Sequence, residues 1–155
     1  MVATAKPEMP ETVHVLDLCQ EIEIDAPIEV SFDAVLAELG PEGQMPGGTP
    51  FPMKLEPWPG GRWFRDLGDN AGHFWGHVQV IKPPKLLEIC GPMFMSYAAI
   101  SHIQYRLETV GNGTRVKIAH KAIGLIPADH REGVHEGWDH GLKRIREIAE
   151  SRAKK

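Results

Sequence analysis

From Ala128 to Arg152, apolar residues return every three or four positions, at Val134, Trp138, Leu142, Ile145 and Ile148. Lys143, Arg144, Arg146 and Glu147 occupy other directions around the axis. That period predicts one amphipathic helix of roughly 37 Å, at about 1.5 Å per residue. A helix of this length has to lay its apolar stripe on another layer, and it can cross a whole sheet. The rest of the chain must therefore supply that sheet.

Strand patterns fill most of what precedes. Between Val13 and Ile24, Leu16, Leu18, Ile22 and Ile24 share one face and Asp17, Glu21 and Glu23 the other, with Gln20 the polar member of the inner set. Alternation of this kind marks a strand with one wet side. Asp25-Ala26-Pro27 supplies a helix start, with the carboxylate at or near the N-cap. Ile28, Phe32, Val35, Leu36 and Leu39 follow at helical spacing until Gly40-Pro41. The Gly- and Pro-rich stretch from Gly40 to Pro52 has no period, and a loop of that length is often a lid. Candidate strands then run over Met53–Trp58, Arg62–Leu67, His73–Ile81 and Leu86–Cys90, separated by turn residues.

The last hairpin pairs Ile100–Val110 with Thr114–Ile123. Placing Ile103, Tyr105 and Leu107 on the same side as Val116, Ile118 and His120 requires paired numbers to sum to an odd value. Leu107 opposite Val116 satisfies this, through a two-residue loop drawn from Gly111-Asn112-Gly113. Strand, helix, six strands and a long helix make an α+β chain.

Composition bounds the function. With 17 basic and 21 acidic residues in 155, the net charge is −4, which argues against a nucleic-acid partner. No run of about 18 apolar residues occurs, so no membrane span is expected. The start lacks an apolar signal region, and residues 1–12 read as a loose tail before a single domain over 13–152. Cys19 and Cys90 lack metal or redox spacing and read as reduced, buried thiols of a cytoplasmic protein.

Four local phrases occur in order. Ile22-x-Ile24-Asp25-Ala26-Pro27 precedes the first helix, and Pro59-Gly60-Gly61-Arg62-Trp63 marks a turn. Gly76-His77-Val78 leads to Lys82-Pro83-Pro84-Lys85-Leu86-Leu87, and Gly137-Trp138-x-x-x-Leu142 stands on the last helix. Over about residues 13–150 the chain thereby resembles the START-like (SRPBCC) superfamily. Within it, the likeness is to single-domain relatives of the activator of the heat-shock-protein-90 ATPase. The resemblance implies a helix-grip fold, a curved antiparallel sheet of about six to seven strands wrapped around the C-terminal helix. It also implies an apolar cavity between sheet and helix, used across the superfamily for hydrophobic small molecules and by some members for catalysis.

Histidines invite a metal hypothesis, which spacing opposes. His135 and His140 are five apart, so their rings stand about 140° apart around a helix and cannot share one zinc. His130, His135 and His140 read as solvent-facing. His73 and His77 are separated by roughly 13 Å along a strand and read as outward, with Phe74, Val78 and Val80 on the core face. His120 lies on an apolar face, where a buried imidazole needs a partner. It reads as a satisfied core residue bonded to Tyr105, Gln20 or backbone, or as a cavity group acting on a ligand as acid or base. Arg65 shares a face with Trp63 and reads as an anion anchor or a rim residue. The aromatic and Met residues of Gly91–Ala99 suit a cavity mouth.

No nucleophile elbow or phosphate loop is present, and no cofactor or metal is expected. The expected function is binding of a hydrophobic or aromatic small molecule. Gln20, Trp63, Arg65, Phe74, Tyr105, His120 and Trp138 are the expected contacts, and the Gly40–Pro52 loop is the gate. A cyclase-, dehydratase- or hydrolase-type enzyme with His120 as catalytic acid or base is the first alternative. A co-chaperone-like interaction module is the second, and a homodimer is left open.

Overall fold

The computed structural model describes residues 2–6 and 12–155; of the expected tail, residues 1 and 7–11 lie outside the described residues. The chain order is β1 (His14–Ile24), α1 (Ile28–Leu39), β2 (Lys54–Leu55), β3 (Arg62–Gly68), β4 (Ala71–Lys82), β5 (Leu86–Gly91), β6 (Ala99–Val110), β7 (Gly113–Gly124) and α2 (Ala128–Ala153). All seven strands form one antiparallel sheet in the order β1-β7-β6-β5-β4-β3-β2. The first strand thus pairs with the last, and the curved sheet grips α2: a helix-grip α+β fold.

The hairpin register follows the parity of its apolar residues. Leu107 faces Val116, Tyr105 faces Ile118 and Ile103 faces His120, and the chain reverses through Gly111 (φ 60°) between Val110 and Gly113. Slipping by one residue would send this whole set to solvent. With Leu87, Ile89 and Val78 of neighbouring strands, they form the floor of the core. Trp138, Leu142, Ile145 and Ile148 of α2 and Phe32 and Val35 of α1 close it from above.

Three local features differ from the sequence expectation. Asp25 does not cap α1; Pro27 holds the N-cap position in an extended conformation, and the Asp25 N–H donates to Glu150. The strand expected over Met53–Trp58 shrinks to Lys54–Leu55, because Pro57 and Pro59 have no N–H to give a ladder. Glu56 instead accepts hydrogen bonds from the Arg62 side chain at 2.9 Å. Both cysteines are free, but Cys19 is exposed, since its odd position on β1 shares the outer face with Asp17 and Glu21. No helix of the described residues is long and apolar enough to cross a membrane.

β4 departs most from simple alternation. Trp63 pairs with Gly76 but Phe64 pairs with Phe74, leaving Trp75 as an extra residue; a second irregularity leaves Gln79 extra against β5. Each bulge reverses which parity faces inward and bends the strand. Trp75, Val78 and Ile81 consequently pack on the core, whereas Phe74 is 40% exposed. Gly76 and Gly91 face each other at this bend, where a Cβ on Gly91 would lie 2.4 Å from Gly76 Cα.

Candidate functional site

The helix-grip arrangement leaves a cavity of about 450 Å³ beside the first half of α2. Its other walls are the end of α1, the loop after it and the sheet edge at β3 and β4. Three features open this space. The bulge turns the Trp75 ring inward, where it meets Trp63 edge-on at 5.0 Å between centroids and Phe51 and Phe94 at 5.9 and 6.1 Å. After β5, Met93 takes a left-handed conformation (φ 57°), and its N–H donates to the Trp75 carbonyl at 2.8 Å. That reversal brings Met93 and Phe94 to the cavity.

The third feature is on α2. Gly133, Gly137 and Gly141 recur every four residues and line the cavity on one side of the helix. A Cβ at Gly133 or Gly137 would meet nothing within 4 Å, so neither glycine is required by close packing. Each costs about 1 kcal/mol of helix stability relative to alanine. What they leave is room.

The sequence-designated residues divide into two groups. Trp63 and Trp138 line the cavity, and each is anchored through its indole. Trp63 Nε1–H donates to the Leu39 carbonyl at 2.7 Å, tying β3 to the end of α1. Trp138 Nε1–H donates to His120 Nδ1 at 3.0 Å. The remaining five do not line it. Gln20 donates from Nε2 to the His135 carbonyl at 3.2 Å, pinning β1 to α2. Arg65 lays its guanidinium on the Phe51 ring at 3.8 Å from the centroid. Phe74 is turned outward by the bulge and stacks with His77. Tyr105 is buried in the floor, edge-on to Trp138.

His120 is enclosed completely, at 0% exposure. Because Trp138 donates to Nδ1, the ring proton sits on Nε2 and donates to Ser101 Oγ at 2.9 Å. The Ser101 hydroxyl in turn points to Met95 Sδ at 3.7 Å. Every polar atom of the imidazole is thus used inside the core. Its partners are Trp138 and Ser101 rather than Tyr105, Gln20 or backbone. Burial pushes its pKa down to about 4, so the ring is neutral at pH 7. It has neither access to the cavity nor a free nitrogen for a ligand.

The ionisable groups that do line the cavity are Glu38, Asp129, His130 and His140. Glu38, near the end of α1, aims its carboxyl at α2, where a Cβ on Gly141 would lie 3.6 Å from Oε1. Burial raises its pKa to about 7, against the opposing charge of Arg144. No ion pair forms between them: Arg144 donates to Glu147 at 3.1 Å and to the Glu42 carbonyl at 3.3 Å. Among the described residues His140 Nε2 is buried without a hydrogen-bond partner. At the other end, His130 Nδ1 and the Tyr97 hydroxyl share a hydrogen bond of 2.7 Å, holding the 91–99 segment to α2. Sequence reading missed Glu38 because it stands one place from the apolar stripe of α1. It read His130 and His140 as solvent-facing, on a spacing test for metal alone, whereas both line the cavity because that side of α2 packs over α1 and the 91–99 segment. Among the described residues no cluster of His, Cys, Asp or Glu is arranged to hold a metal ion.

The Gly40–Pro52 loop folds into a small flap. Met45 and Thr49 are joined by a 2.8 Å backbone hydrogen bond, and the Phe51 N–H returns to the Gly43 carbonyl at 2.8 Å. Gly43, Gln44, Met45 and Pro46 form part of the cavity wall.

A family model described as activator of Hsp90 ATPase homolog 1-like protein matches residues 48–150. The chain belongs to that family. Together with its fold, this makes it a START-like protein. It superposes on an uncharacterized protein from Rhizobium leguminosarum with TM-score 0.68 and 17% identity, over 90% of this chain and 97% of that one. The di-domain ARO/CYC protein StfQ of the steffimycin biosynthetic pathway gives TM-score 0.65 and 12% identity, over 91% of this chain and 52% of that one. Ara h 8.0201 gives TM-score 0.64 and 14% identity, over 90% of this chain and 99% of that one. At these identities the likeness is one of fold. Among curated proteins none matches the sequence significantly.

Proposed function

We propose that this protein binds an apolar, ring-bearing small molecule in the cavity beside α2. The observation that carries the reading is the cavity itself: about 450 Å³ walled by Trp63, Trp75, Trp138, Phe51, Phe94 and Met93. Sites for small molecules typically enclose roughly 300–1,000 Å³ of mainly apolar space with a few polar groups. Glu38 and His140 supply such groups at one end, and His130 at the other. The flap at 43–46 is suited to control the mouth.

Proton-transfer catalysis in the same cavity is the second reading, favoured by the Glu38 carboxyl titrating near neutral pH. His120 would not be its base, since both ring nitrogens are committed within the core.

The test uses indole N–H resonances with N-phenyl-1-naphthylamine as an uncharged apolar probe. Trp63, Trp75 and Trp138 line the cavity, while Trp58 is 54% exposed and lies outside it. The expected result is that the three cavity indoles shift, Trp58 does not, and Gly137→Phe abolishes the shifts while the protein stays folded. Equal shifts in Gly137→Phe would place binding elsewhere and overturn the reading.

A further inference from the structure

The cavity has an unbalanced charge. Among the described residues Glu38 and Asp129 line it, and no Lys or Arg does. Two guanidiniums stand close by without pairing with Glu38: Arg65 rests on the Phe51 ring, and Arg144 donates to Glu147 and the Glu42 carbonyl, so that only its longer-range charge reaches Glu38. The Glu38 carboxyl takes part in no ion pair among the described residues. The remaining walls include aromatic faces, which attract a poorly hydrated cation as well as an apolar body. A buried carboxylate is costly unless a positive charge accompanies it. Among the described residues no Lys or Arg lining the cavity supplies one.

We infer that the ligand is itself the missing cation: an apolar molecule carrying an alkylated, positively charged nitrogen. The nitrogen sits at the Glu38 end of the cavity, and the apolar body lies along Trp63 and Trp75. This rests on the cavity-binding reading and adds its charge specificity. An anion would meet two carboxyls, and a neutral molecule would bring no charge to balance an ionised Glu38.

The groups facing Glu38 are Arg144 and His140 on α2 and Tyr105 on β6. Tyr105 is held neutral, its pKa raised well above 10 by burial and by the Glu38 charge. A ligand cation binds the carboxylate form, so occupation expels the proton and affinity rises with pH through about 7. A neutral ligand hydrogen-bonded to the protonated carboxyl would show the reverse.

A matched pair of probes tests this. One is trimethyl-[2-(2-naphthyl)ethyl]ammonium; the other is its uncharged isostere, with carbon in place of nitrogen. The quaternary nitrogen does not titrate, so any pH dependence belongs to the protein. Binding is read from the Trp63, Trp75 and Trp138 indole resonances, with Trp58 as internal control. At pH 8 the ammonium is expected to bind about tenfold more tightly than the isostere. Most of that preference should be lost in Glu38→Gln and in the wild-type protein at pH 5.5, leaving only what the aromatic faces contribute. Equal binding of the two probes, or a preference undiminished in Glu38→Gln, overturns the charge proposal while leaving the cavity reading intact. If neither probe moves the three indoles, both fall. The pH arm uses the unmutated chain, so the outcome does not depend on the variant's folding.

Discussion

His120 and Glu38 are two buried titratable groups treated in opposite ways by their surroundings. The imidazole is wrapped by Trp138, Ser101 and the sheet, so its value is in organisation of the core rather than chemistry. His120→Ala would leave the Trp138 indole N–H and the Ser101 hydroxyl without their partner and open a void between sheet and helix. The expected cost is about 3 kcal/mol. Urea unfolding of the variant measures it, and a loss below about 0.5 kcal/mol would contradict the enclosed network. Trp63→Phe removes the indole donor to Leu39 together with part of the buried ring, and the lost hydrogen bond is expected to cost about 1 kcal/mol in addition to the packing change. The carboxyl of Glu38, by contrast, is held at a cavity wall with space in front of it.

At the scale of elements, β4 and α2 together make the cavity. The bulge at Trp75 adds one residue to β4, and that residue's ring becomes a wall. α2 contributes by omission, through Gly133 and Gly137. Gly133→Ala and Gly137→Ala should each stabilise the protein by up to about 1 kcal/mol, since a methyl group meets no neighbour and alanine favours the helix. The same methyl groups occupy cavity space, so probe affinity should fall as thermal stability rises. Melting temperature and probe titration on the two variants check both halves. A variant that loses stability would mean the glycines serve packing instead.

At the scale of the whole molecule, the two buried groups act against each other as pH changes. His120 has a folded pKa of about 4 below its ordinary 6.5, so its contribution is complete above 6.5 and is lost as pH falls toward 4. Glu38 has a folded pKa of about 7 above its ordinary 4.5, so its contribution is complete below 4.5 and is lost as pH rises through 7. Each spans on the order of 3 kcal/mol, and between about pH 4.5 and 6.5 the slopes oppose. Glu38→Gln should therefore expose a stability that rises over that interval, and it should be more stable than the parent chain at pH 8. Urea midpoints at half-unit steps of pH decide this. A falling or unchanged profile in the variant would remove Glu38 from the account.

Periodicity by itself determined the α+β class, the length of α2, the β6–β7 register and the inner face of β1. These are consequences of burying one face of a regular element, and that face is written in residue spacing. His120 was legible as a residue needing a partner, because a lone polar group on an apolar face always does. Only the tertiary structure decided which partner, since Ser101 and Trp138 reach it from a neighbouring strand and a separate helix. The bulges in β4 had no period to announce them, and they reversed the expected orientation of Phe74 and Trp75. The polar groups of the cavity were equally hidden. Glu38 and His140 each look like ordinary surface residues along their own helices, and they become a site because α1 and α2 pack side by side over the sheet. Spacing within an element fixes which way a side chain points; packing between elements fixes what it meets.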